Sequence, residues 1–162
     1  MYKVGIITLS DKGYAGERED KSGPAIEAAL PKEKYIIEEK LLLPDDEEKL
    51  KRELIRLADV VKCDLILTTG GTGFSKRDIT PEATLAVAER NAPGIAEGIR
   101  AYSMNITKRA MLSRGVSVIR GETLIINLPG SPKAVKESLE FIGDTIEHGL
   151  DILSGKDGEC AR

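Results

Sequence analysis

The chain has 162 residues, 41% hydrophobic and 31% charged, with a formal net charge of -3 and no Trp. That length suits one domain, and the slightly acidic balance excludes a duplex nucleic-acid partner, which would require a clear basic excess. No apolar run approaches the roughly 20 residues that a membrane span needs, so small-molecule chemistry in a soluble core is the class left open.

Lys3 to Leu9 is a short β-branched run with no small-residue cleavage site after it. It reads as a buried first strand and not a signal peptide, and a cytoplasmic location is expected. Ser22-Gly23-Pro24 opens a helix to about Leu30, with Ser22 as its N-cap and the proline early in the first turn. Tyr35 to Leu43 is a second strand ended by Pro44. Asp45 to about Lys62 is helical, because Leu50, Leu54, Leu57, Ala58 and Val61 recur on one face. Asp64 to Thr69 is nearly continuous in apolar residues, as expected of a strand buried on both faces. Pro81 to Glu89 and Gly94 to about Met104 are further helices. Val116 to Arg120 and Thr123 to Asn127 are strands joined by a tight turn at Gly121-Glu122. A last helix from Pro132 to about Leu153 carries Val135, Leu139, Ile142, Ile146, Leu150 and Leu153 on one stripe, and a frayed polar tail follows from Ser154 to Arg162.

This alternation predicts a single α/β domain over residues 1–162: three layers, a mostly parallel sheet with helices on both faces. Cys63 and Cys160 are far apart and lack C-x-x-C partners, so neither a disulfide framework nor a zinc site is indicated. The lone His148 reads as surface or packing. The absence of Gln and the abundance of Glu, Lys and Arg point toward a thermophilic source.

Ligands of an open parallel sheet bind beyond the carboxyl ends of its strands. Four such ends carry Ser10-Asp11, Pro44-Asp45-Asp46, Thr68 to Gly73, and Asn127 to Pro132. The run Thr68-Thr69-Gly70-Gly71-Thr72-Gly73 either presents backbone N–H groups to an anion or is a flexible turn; it is neither a Walker A loop nor G-x-G-x-x-G. In Ser75-Lys76-Arg77-Asp78-Ile79-Thr80-Pro81, the basic pair suits phosphate oxygens and Asp78 suits Mg²⁺, while Thr80 also makes a good helix start. Asp45 with Glu48 has capping-box spacing, yet Asp45 shares the sheet edge with the glycine run, where two carboxylates can hold a metal. Lys108, Arg109 and Arg114 either bind an anionic substrate or coat the surface.

Together, Thr69-Gly70-Gly71-Thr72-Gly73, Arg77 to Ala83, Leu112-Ser113-Arg114-Gly115, Asn127 to Lys133 and Leu43-Pro44-Asp45-Asp46 resemble the molybdopterin adenylyltransferase family of the MogA/MoaB type, in order and spacing from Lys3 to at least Lys136. The resemblance implies a trimeric enzyme of molybdenum-cofactor biosynthesis that binds Mg²⁺-ATP and molybdopterin, forms adenylyl-molybdopterin and pyrophosphate, and hands the product to a molybdate-insertion protein. It places the two functional aspartates, catalytic and metal-binding, at Asp45 and Asp78. The substrate site would comprise Ser10, Asp11, Thr69, Gly70, Gly71, Thr72 and Gly73, with Pro129, Gly130 and Ser131 as its far wall. This chain ends soon after its last helix, as the shorter MoaB-type members do, whereas its Arg77 to Ala83 segment follows the active pattern. An active enzyme is therefore expected, against a trimeric pterin carrier or a nucleotide hydrolase.

Overall fold

The computed structural model describes residues 1–156; Cys160 and most of the expected frayed tail lie outside them. The chain runs β1 (Tyr2–Leu9), α1 (Asp11–Tyr14), α2 (Ser22–Ala29), β2 (Tyr35–Leu43), α3 (Glu47–Ile55) with a π-helical turn (Arg56–Val60), β3 (Leu65–Thr69), α4 (Thr80–Val87) and β4 (Arg90–Asn91). It continues through α5 (Pro93–Met104), a 3₁₀ turn (Lys108–Leu112), β5 (Ser117–Arg120), β6 (Thr123–Leu128) and α6 (Pro132–Leu153).

The sheet has the order β2-β1-β3-β6-β5-β4. Its first four strands are parallel, β5 returns antiparallel to β6, and β4 pairs antiparallel with β5. Residues alternate across it as the pleat requires. Val4, Ile6, Leu65, Leu67, Leu124 and Ile126 pack on one side with Ile26 of α2, Ile99 of α5 and the Val135–Leu150 stripe of α6. Ile7, Leu9, Ile66 and Ile125 pack on the other with Leu50, Leu54, Leu57, Ala83 and Val87. The expected three-layer α/β fold is thus the one observed. No helix among the described residues is long and apolar enough to cross a membrane.

Asn127 is 3% exposed inside this second layer. Its Nδ2 donates to Thr68 Oγ1 and Thr84 Oγ1, both at 3.0 Å, and its Oδ1 accepts from Val116 N at 3.1 Å. One amide thereby joins β3, α4 and the entry to β5.

Three expected helix starts resolve differently. Ser22 lies inside α2, and Asp20 satisfies the first turn instead, its Oδ1 accepting from Ser22 N and Gly23 N. Asp46, not Asp45, caps α3 by accepting from Lys49 N at 3.0 Å, because the helix begins at Glu47 and leaves Asp45 one residue outside. Thr80 is the first residue of α4 and spends its hydroxyl on Gly70 O. The elements α1 and β4 and the 3₁₀ turn span at most five residues each, too few for a periodic signal. Cys63 is buried, with its thiol pushed up to about 11 by that burial, as suits a packing residue; His148 lies exposed on α6.

Candidate functional site

The carboxyl ends of β1, β2, β3 and β6 bring their loops together. Gly70 and Gly71 leave β3 with φ of +91° and +70°, a region closed to most side chains. A Cβ on Gly70 would run into the Leu9 carbonyl oxygen, and one on Gly71 into Thr80 Oγ1. The loop is anchored by Thr80 N to Gly71 O (3.1 Å), Thr80 Oγ1 to Gly70 O (3.0 Å) and Thr69 Oγ1 to Pro129 O (2.6 Å). The last of these ties the end of β3 to the loop after β6.

Beside it, Asp11 and Asp45 are cross-bonded. Asp11 N donates to Asp45 Oδ2 at 3.1 Å, and Asp45 N donates to Asp11 Oδ1 at 3.0 Å. Arg77 closes over the pair, its Nε and Nη2 donating to Asp11 at 2.9 and 2.8 Å. Those bonds from Arg77, joined by the Asp45 amide, hold the Asp11 carboxyl below its ordinary value. Asp45 is displaced the other way, chiefly by burial, with the charges of Asp11 and Asp78 adding to the rise against the Asp11 amide and Arg77. Its Oδ1 is buried with no hydrogen-bond partner among the described residues, and a Cβ on Gly71 would stand 3.1 Å from it.

Asp78 sits at the far end of the next loop. Its Oδ2 accepts from Ser75 N at 3.0 Å and lies so close to Gly73 that a Cβ there would stand 2.9 Å away. Arg114, for which the sequence left substrate binding or surface coating open, directs its guanidinium at protein groups: Gly73 O, Asp78 O and the Glu82 carboxylate. Lys108 and Arg109 are exposed.

Two clefts adjoin at Gly130. The larger, about 560 Å³, is bounded by Ser10, Asp20, Ser22, Thr69, Gly70 and Gly130. The smaller, about 270 Å³, is bounded by Thr72, Arg100, Arg109, Pro129, Gly130 and Ser131. The residues singled out from the sequence therefore divide into three neighbouring groups: Ser10, Thr69 and Gly70 on the larger cleft; Thr72, Pro129 and Ser131 on the smaller; and Asp11, Asp45, Gly71, Gly73 and Asp78 in the carboxylate group. Gly130 belongs to both clefts. Sequence reasoning missed the wall at 18–22, where Asp20 also accepts from Thr8 Oγ1 and Ser22 Oγ donates to Gly130 O at 2.7 Å. The signal that could have found it is the acid just ahead of Ser22-Gly23, a helix-start pattern that Asp20 satisfies as well as Ser22 does.

Among the described residues no group of three or more His, Cys, Asp or Glu side chains is arranged to hold a metal by itself. The donor set nonetheless fits Mg²⁺. That ion takes oxygen ligands, keeps several waters, and is held by one or two carboxylates completed by substrate phosphates. An orphaned carboxylate oxygen with a second aspartate nearby supplies that share.

The family described as a probable molybdopterin binding domain matches residues 5–148. The molybdopterin adenylyltransferase of Haemophilus influenzae is 45% identical over 148 residues, covering 89% of this chain and 74% of that one. Its counterpart in Escherichia coli K12 is 42% identical over 155 residues, covering 91% of this chain and 79% of that one. Among solved structures, the molybdopterin biosynthesis enzyme MoaB from Thermus thermophilus matches with a TM-score of 0.91 at 46% identity, over 96% of this chain and 98% of that one. Fold and sequence agree: the chain belongs to the MogA/MoaB family of molybdopterin-binding proteins of molybdenum-cofactor biosynthesis.

Proposed function

We propose that this chain adenylylates molybdopterin with Mg²⁺-ATP. A terminal phosphate oxygen of the pterin attacks the α-phosphorus of ATP, the bond to the bridging oxygen of the β-phosphate breaks, and pyrophosphate leaves. The attacking oxygen is already anionic, so no side chain has to remove a proton. The requirement is to align two anions and offset their repulsion.

The observation that carries this reading is the unpartnered, buried Oδ1 of Asp45 beside a glycine loop. A buried acceptor is costly to leave unmade, and a cation is the partner that its neighbours Asp11 and Asp78 also favour. Mg²⁺, when bound, would neutralise the charge of the transferring and leaving phosphates. Asp45 and Asp78 are assigned to hold it. The N–H groups of Gly70 to Gly73 are assigned to phosphate oxygens, and Ser10, Asp11, Thr69, Thr72, Pro129, Gly130 and Ser131 to the walls around the two substrates. Two clefts meeting at Gly130 suit two substrates that must meet there. Relatives named as adenylyltransferases support the same reading.

The same reading includes a cytoplasmic homotrimer that passes its product to a molybdate-insertion protein. For assembly, the support is a set of apolar side chains from the end of α5 through the 3₁₀ turn, where Met104, Ile106, Met111 and Leu112 are 38–61% exposed.

Pyrophosphate release from Mg²⁺-ATP, measured with and without molybdopterin, tests the reaction. Release that needs the pterin and falls at least a hundredfold in Asp78→Ala is expected. Tight pterin binding without release would leave a carrier, and release without pterin a hydrolase.

A further inference from the structure

We infer that Arg114 is a positioning residue, whose guanidinium closes the base of the loop from Gly73 to Asp78 and so fixes the Asp78 carboxylate. The loop's two ends are carbonyls that Arg114 bonds at once: Nε donates to Gly73 O and Nη2 to Asp78 O, each at 2.8 Å. Nη1 donates to both Glu82 oxygens, at 2.9 and 2.8 Å, which anchors the fork on α4. The Arg114 backbone joins in, its N–H meeting Thr72 O at 2.8 Å.

A guanidinium has five N–H donors, and four bonds are already directed at protein groups, so little remains for a ligand. The charge is matched by Glu82, whose hydrogen bonds raise the Arg114 pKa further. Within the loop Asp78 is held locally only through Ser75, its N donating to Ser75 O and its Oδ2 accepting from Ser75 N, both at 3.0 Å. Ser75 itself is exposed. Arg77 ties the middle of this turn to Asp11, whereas Arg114 spans both of its ends and anchors them on α4. A lysine, with one point-like ammonium, cannot reach two carbonyls and a carboxylate in fixed directions.

The part played by Asp78 rests on the adenylyl-transfer reading above; the bracing of the loop does not. Arg114→Ala and Arg114→Lys are compared with the intact protein by amide hydrogen exchange and by steady-state pyrophosphate release. In both variants the amides of the 73–78 loop should exchange at least tenfold faster while those of β3 and α6 stay unchanged. The kcat should fall tenfold or more, as for other residues that orient a ligating group, with KM for ATP within about twofold of wild type. Millimolar guanidinium should restore part of the activity in Arg114→Ala and none in Arg114→Lys. Loop exchange within twofold of wild type overturns the inference, as does a raised KM with unchanged exchange, the mark of a direct substrate contact. Should Arg114→Ala lose protection throughout the molecule, Arg114→Lys decides by the same criteria. A wild type that releases no pyrophosphate ends the adenylyl-transfer reading and leaves loop exchange to decide the role of Arg114.

Discussion

A carboxylate oxygen kept inside a protein without a donor costs about 1–3 kcal/mol or more, and Asp45 keeps one. On the proposed reading, that stability is yielded to the cation Asp45 would hold. Asp45→Asn should therefore raise the melting temperature of the metal-free protein by a few degrees, about 2–4 °C for each 1 kcal/mol at this size, while pyrophosphate release disappears. Calorimetry beside the release assay checks both halves. Burial lifts the Asp45 carboxyl above its ordinary value of 3.8, so its contribution to stability is intact below that value and is lost as pH rises through the elevated folded one. The advantage of Asn over Asp should accordingly be absent below pH 3.8 and grow through the window above it, in urea unfolding at stepped pH. A uniform advantage at every pH would mean that the charge is not the cause.

Helix ends and helix faces separate two polar residues that look alike in sequence. Asp46 caps α3 with a 3.0 Å bond, and Asp46→Ala should lower stability by about 1 kcal/mol. Ser138 lies in mid-α6, fully buried with an unpartnered hydroxyl, so Ser138→Ala should be neutral or stabilising, since alanine removes the orphan and favours the helix. Urea midpoints check the pair, and a loss in Ser138→Ala equal to that in Asp46→Ala would refute the distinction. At this scale much is readable from the sequence. The limits of β2 and α6 coincide with those expected, because long runs of period two or 3.6 leave little freedom. The capping acid differs from the expected one by a single residue, since Asp45, Asp46, Glu47 and Glu48 offer the same chemistry at adjacent positions and only tertiary contact with Asp11 tells them apart. The strand ends showed which loops gather around the two clefts. What Arg114 does there was illegible, because its partners Gly73, Asp78 and Glu82 are 32 to 41 residues away and two of them are carbonyls, which any residue possesses.

Across the whole molecule, the site draws on residues from Ser10 to Ser131, so no fragment short of the full sheet can hold it. The proposed trimer belongs at this scale as well. Met104→Glu combined with Ile106→Glu, at positions 38% and 50% exposed, should shift sedimentation from trimer to monomer. The monomer itself should lose little, about 0.5 kcal/mol per site, as surface changes do. A variant that remains trimeric would put the interface on another face, and a monomeric wild type would remove it. The buried Asn127 has a consequence for how the chain avoids error. It stands opposite Thr68 in the β3–β6 pairing, and a slip of one residue would turn its amide to the opposite layer. Thr68, Thr84 and the Val116 amide would all be left wanting in an apolar interior. Strands of interchangeable Ile and Leu can slide past one another at little cost, and a single polar side chain acts here as the tooth that stops the ratchet.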